Sequence, residues 1–143
     1  MTSYAPNLVD LRGEAYRAGA LANKVSKTLQ ATQFLFYRFA LVPFLARDLK
    51  VLVAHLKATD LDGLSKEQLQ GLMTLLLEMH GDLERMLDLV KRRPIHWFSA
   101  ESKIYREIAT HSEDLGDIVE AFSVSLSPAF RSRIDAALRQ LPN

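Results

Sequence analysis

The sequence predicts an all-α fold, an antiparallel four-helix bundle with room for a fifth short helix at the C-terminus. Apolar residues recur at spacings of three and four through every long segment, and none shows the sustained period-two alternation of a half-buried strand. Capping residues, turns and prolines divide the chain into pieces of helical length. The 143 residues are 48% apolar, enough for one continuous core, and neither an internal repeat nor a low-complexity tract marks a second unit. Residues 1–143 are therefore expected to form a single helical-bundle domain.

The first helix is expected to carry the stripe Leu8, Leu11, Ala15, Ala18, Ala22, Val25 and Leu29. The stripe is alanine-rich, so a neighbour can approach closely. Gly13 and Gly19 weaken it by about 1 kcal/mol each relative to alanine. This helix is expected to run on to about Leu41, where Pro43 forces a kink or a new start. Proline lacks an N–H and disfavours helical geometry at the residue before it, Val42.

A second helix after Pro43 carries Leu45, Leu49, Leu52 and Leu56, and the ATDLDGLS turn follows. Ser65 and Gln68 fit a capping box that opens a third helix. Leu72, Leu76, Met79, Leu83, Met86 and Val90 form its apolar row, widened by Leu69, Met73 and Leu87. This is the broadest apolar face in the chain and is expected at the centre of the bundle. Lys91, Arg92 and Arg93 complement the helix dipole, and Pro94 stops the helix.

The short link that follows favours antiparallel packing of its neighbours. Ser99 is expected to cap the fourth helix, whose stripe is read as Ile104, Ile108, His111, Leu115, Ile118 and Phe122. Ser127-Pro128 signals a last short helix through Phe130, Ile134, Leu138 and Leu141.

Charge is balanced overall at +1 but unevenly placed. Residues 1–57 carry +5 and residues 58–143 carry −4, with the acidic excess gathered at Glu107, Glu113, Asp114, Asp117 and Glu120. Balance of this kind gives no global attraction to nucleic acid. The absence of cysteine excludes disulfides, thiolate metal sites and a cysteine nucleophile. The N-terminal residues lack the apolar stretch of a signal peptide. The longest apolar run, thirteen residues, is well short of the roughly 20 that span a bilayer. We expect a soluble, cytoplasmic protein, with peripheral membrane contact still open.

Candidates for chemistry are sparse. His111 occupies an apolar position, with Glu107 and Asp114 one turn to either side, but paired Glu-x-x-His motifs are absent. His80 flanks the apolar face of the third helix; together with His111 and Glu107 it would make a zinc site if those faces met. The expectation for His111 is a partly buried histidine hydrogen-bonded to a neighbouring helix, with no metal and no cofactor. No phosphate loop or nucleophile elbow is present, and most of the late serines read as caps or surface positions. Lys91, Arg92 and Arg93 beside Trp97 and Phe98 suit a helix end and packed loop better than a nucleic-acid stripe.

Arg106-Glu-Ile-Ala-Thr-His111 resembles the R-x4-H motif of HEPN-family ribonucleases, all-helical domains of similar size. The resemblance covers six residues. It implies that Arg106 and His111 act together on an RNA backbone, as a composite site in a dimer. Glu107 departs from the polar residue that often follows the arginine there, and an acidic helix repels phosphate. This ribonuclease reading ranks below two others, and no catalytic residue is assigned.

Those two rest on Phe34–Ala46, FLFYRFALVPFLA, which holds five of the twelve aromatic residues and a single charge, Arg38. Such a run is either deep core or a surface for a partner or a lipid interface. The preferred expectation is a non-enzymatic interaction module that self-associates or binds a protein partner. Phe34, Phe36, Tyr37, Phe39 and Phe44 would form its contact surface, with Trp97 and Phe98 as a second patch. The alternative is a membrane-associating bundle, in which the basic N-terminal half meets anionic lipid and Phe34–Ala46 inserts shallowly.

Overall fold

The computed structural model describes residues 7–30, 35–92 and 99–123, with Leu126, Pro128, Ala129, Ser132 and Ala136 beyond them; of residues 28–30, 35–40, 92, 99–102 and 123 it describes the backbone alone. Four α-helices are present, α1 (Leu8–Gln30), α2 (Leu35–Ala58), α3 (Lys66–Arg92) and α4 (Ser99–Ser123), and among the described residues there is no strand.

Helix α1 opens on a reciprocal cap. The Asp10 N–H donates to Asn7 Oδ1 at 2.9 Å and the Asn7 N–H donates to Asp10 Oδ2 at 3.2 Å, which satisfies two otherwise orphaned donors. Leu11, Ala15, Ala18, Ala22 and Val25 are buried as expected. The small side chains bring α1 close to α3: a Cβ built on Gly19 would lie 3.5 Å from Asp82 Oδ2 and 3.8 Å from Met79 Cγ.

The chain does not break at Pro43. Helix α2 starts at Leu35 and runs through Pro43 to Ala58, so the aromatic run opens α2 instead of closing α1. Pro43 removes one N–H, leaving the Phe39 carbonyl without its usual donor. Its ring sits on the exposed side of the helix, while Val42, Leu45, Ala46, Leu49, Leu52, Val53 and Leu56 fill the core. That apolar face, worth about 1.5–3 kcal/mol for each fully buried large side chain, outweighs the loss. At the other end the Thr59 hydroxyl donates to the His55 carbonyl at 2.7 Å. A 3-10 turn at Leu61–Gly63 then tucks Leu61 into the core.

The capping box at Ser65 is present. The Gln68 N–H donates to Ser65 Oγ, and the Ser65 N–H to Gln68 Oε1, both at 3.1 Å. Along α3 the expected row is buried from Leu72 to Met86 and half-buried at Val90. On α4 the buried stripe is Tyr105, Ile108, Ser112, Leu115 and Val119. It is rotated from the expected stripe: Ile104, His111, Ile118 and Phe122 sit half-buried on its flank. Pro128, Ala129, Ser132 and Ala136 are helical, in keeping with the short last helix, whose other residues lie outside the described ones.

Helices α1 and α2 are antiparallel neighbours, since Glu14 meets His55 and Arg17 meets Asp48. Helices α3 and α4 are likewise antiparallel, with Ser112 opposite Glu84 and Gly116 opposite His80. The two hairpins then stack. Gly19 of α1 lies against Met79 and Asp82 of α3, and further along Asn23, Ser26 and Lys27 share a groove with Arg85, Asp88 and Leu89, so these two helices run parallel, as do α2 and α4. Around the bundle the order is α1, α2, α4, α3, and the segment from Thr59 to Ser65 crosses the diagonal.

Candidate functional site

The outer face of α2 starts from Phe44. A helix that buries Val42, Leu45, Leu49, Leu52 and Leu56 would ordinarily turn polar residues to water. Instead Phe44 is 52% exposed and Val51, two turns on, is 40% exposed. Pro43, Arg47, Lys50, Ala54, Lys57 and Ala58 complete the exposed surface. Between Pro43 and Ala58 the one carboxylate is Asp48, half-buried and 3.8 Å from Arg17 Nε at the α1 boundary. The exposed face is therefore apolar and cationic without an acidic residue. The Arg47 guanidinium lies 5.3 Å from the Phe44 ring centroid, a cation–π contact worth about 0.5–1 kcal/mol at an exposed site.

The other residues expected to make contact cannot be placed on this face. Phe36, Tyr37 and Phe39 belong to the first turns of α2, with their side chains outside the described residues, and Phe34, Trp97 and Phe98 lie outside them altogether. On α4 the exposed surface includes Glu107, Glu113, Asp117 and Glu120, with Asp114 half-buried beside them. The structure thus carries a cationic, apolar face on α2; on the adjacent helix α4 the exposed surface is mixed in charge at Lys103, Arg106 and Glu107 and acidic from Glu113 to Glu120.

The polar residues that reach the core are not those expected. His80 is 6% exposed and Ser112 is fully buried, facing each other across the α3/α4 seam. The Ser112 hydroxyl donates to Glu84 Oε1 at 2.9 Å, and His80 Nε2 lies 3.6 Å from the same oxygen. A Cβ on Gly116 would stand 3.2 Å from His80 Nε2, so the glycine makes room for the imidazole. His80 Nδ1 has no hydrogen-bond partner among the described residues. Burial pushes the imidazole below its ordinary range, with the Glu84 carboxylate pulling the other way. The Ser112 hydroxyl is turned to a carboxylate and not to an imidazole, so the cluster lacks the serine–base bond of an activated nucleophile.

The sequence reading passes over Ser112, treating the late serines as caps or surface positions, and places His111 in the core row instead. His111 is half-buried on the flank, with Nδ1 4.0 Å from Asp114 Oδ2. Glu107 is exposed. Among the described residues no three His, Asp or Glu side chains gather as metal ligands. The available signal for the seam was Gly116, a glycine inside a helix, which marks a close approach.

Above the seam, α3 and α4 splay into a cleft of about 320 Å³. Leu87, Val90, Tyr105 and Ala109 form its apolar lining, and Glu84, Lys91 and Arg106 supply its charges. Arg106, half of the R-x4-H spacing, is exposed at this cleft, whereas His111 sits on the half-buried flank. Five residues along a helix separate side chains by about 140° of rotation, so the two point to different surfaces of α4.

On the opposite seam Glu14 Oε1 and His55 Nδ1 meet at 2.6 Å, joining α1 to α2. Among the described residues no helix is long and apolar enough to cross a membrane. Comparison with protein-family models, with curated proteins and with solved structures found no match to this chain.

Proposed function

We propose that the chain is a non-enzymatic helical interaction module that self-associates through the outer face of α2. The observation that carries this reading is the half-exposed Phe44, beneath the Arg47 guanidinium on a face whose exposed residues are otherwise apolar or cationic. An aromatic anchor ringed by basic residues suits an acidic partner surface. A second copy offers one in the Glu113, Asp117 and Glu120 stretch of α4. Because α2 and α4 are adjacent and parallel, a two-fold axis along the bundle sets each α2 against the other copy's α4, and the interface closes on itself. The absence of cysteine suits a reducing compartment, and we place the protein in the cytoplasm.

Light scattering on the purified protein across a concentration series tests this. Concentration-dependent dimerisation that Phe44→Asp removes, with helicity retained, supports it. A chain that stays monomeric at high concentration overturns the self-association.

The same cations with Phe44 and Val51 favour a second reading, docking on an anionic membrane surface with shallow insertion of the aromatic start of α2. Co-sedimentation with anionic and neutral vesicles at low and high salt separates the two. Salt-sensitive binding to anionic vesicles alone would select the membrane.

A further inference from the structure

We propose that the cleft between α3 and α4 is a binding site for a small apolar monoanion, a carboxylate carrying a hydrocarbon or aromatic body. Arg106 and Ala109 share the outer side of α4 with Glu113, so the cleft adjoins the surface proposed above to meet a second copy; its assignment rests on its own lining and not on the self-association reading. Its volume of about 320 Å³ lies at the lower end of the range for small-molecule pockets. Leu87 and Tyr105 are buried and form the floor, while Val90 and Ala109 present apolar surface to the opening. A ligand with a short apolar body would cover that surface and remove it from water.

The charges select the head group. Lys91 and Arg106 are both exposed at the cleft, and among the described residues neither is held in an ion pair. The third charged group, Glu84, is occupied at its inner side, where Oε1 accepts the Ser112 hydroxyl and faces His80. Among the described lining residues two cations against one carboxylate leave a single positive charge, which one anionic head neutralises. Arg106 adds a planar fork that matches a carboxylate edge. Lys91 lies in the last turn of α3, where the helix carbonyls oppose an anion, so its ammonium is required to make that end receptive.

Calorimetric titration with octanoate, 1-octanol and octylammonium tests the assignment, with amide chemical shifts locating the contact. Octanoate is expected to bind, to shift the amides of Val90 and Ala109, and to exceed 1-octanol and octylammonium by about fivefold or more. Lys91→Gln and Arg106→Gln are each expected to bring octanoate toward the octanol level. Ala109→Phe, at an exposed helical position, fills the cleft and is expected to abolish binding while circular dichroism stays unchanged. If that variant fails to fold, the Lys91→Gln/Arg106→Gln double variant decides the matter in its place. Absence of octanoate binding at millimolar concentration overturns the proposal. So does equal binding of octanol, shifts confined to other parts of the bundle, or a folded Ala109→Phe that titrates like the wild type.

Discussion

Ser112 and Glu84 are bonded across the α3/α4 seam, the fully buried hydroxyl donating to a carboxylate oxygen at 2.9 Å. The bond ties two antiparallel helices at the level where His80 enters the core. Its donor comes from α4 and its acceptor from α3, so it reports directly on the register of that hairpin.

Removing the hydroxyl should loosen the seam without collapsing it. Ser112→Ala is expected to cost about 1 kcal/mol, near the middle of the range for a single hydrogen bond. The cost stays moderate because Glu84 is a quarter exposed and recovers a water. Urea denaturation of the two proteins reads the difference; no change in midpoint would mean that the bond contributes nothing in solution.

The buried imidazole gives the fold a pH dependence of known sign. The folded state lowers the His80 pKa from its ordinary 6.5, so the folded chain binds a proton less readily than the unfolded one. The stability tied to neutral His80 is fully present above about pH 6.5 and is lost as pH falls from there through the lower, folded value. The groups facing it are Glu84, Ser112 and Gly116, and the Glu84 carboxylate limits the effect. Unfolding free energy measured between pH 7.5 and pH 5 should fall, and the fall should be shallower in His80→Gln. An identical slope in the variant would assign the dependence to other groups.

Two interior glycines should respond differently to alanine. Gly71 in α3 has nothing within 4 Å of an added Cβ, so Gly71→Ala should stabilise by about 0.4–1 kcal/mol through helix propensity and a less disordered unfolded chain. Gly116→Ala gains the same propensity but must push His80 Nε2 back from 3.2 Å. It should gain less or lose, and a melting temperature raised as much as that of Gly71→Ala would show the imidazole to be free to move.

Phe44 provides the test of the outer face. Its exposure means that Phe44→Asp should leave the far-ultraviolet circular dichroism intact. If the ring anchors a contact, the substitution should weaken association by roughly 2 kcal/mol, as for a hot-spot residue. Tyr16→Asp, on an exposed aromatic of α1, is the control and should leave association unchanged.

How much of this was legible depends on which physical signal each residue carries. The α3 cap was readable because Ser65 and Gln68 satisfy each other locally. The Leu45, Leu49, Leu52 and Leu56 row was readable because apolar burial follows the helical period. Pro43 misled because its cost is local, whereas the packing that offsets it is supplied by the rest of the bundle. The α4 stripe was misplaced because Ile108 and Leu115 belong to both possible rows, and only packing chose Ser112 over His111. Of the residues expected to make contact, Phe44 alone has a described side chain, and it is exposed. The α3/α4 cleft left no trace in local spacing, since its walls come from helices that meet only after folding.

The diagonal course of the Thr59–Ser65 segment makes the protein divisible. Each side of it is one helical hairpin, α1 with α2 and α3 with α4; the halves pack on each other at least as extensively as the helices within each hairpin do, and only one covalent link joins them. A chain cut at Gly63 and expressed as two fragments should reconstitute when the fragments are mixed, and an intact chain at high concentration has the same means to trade hairpins between copies.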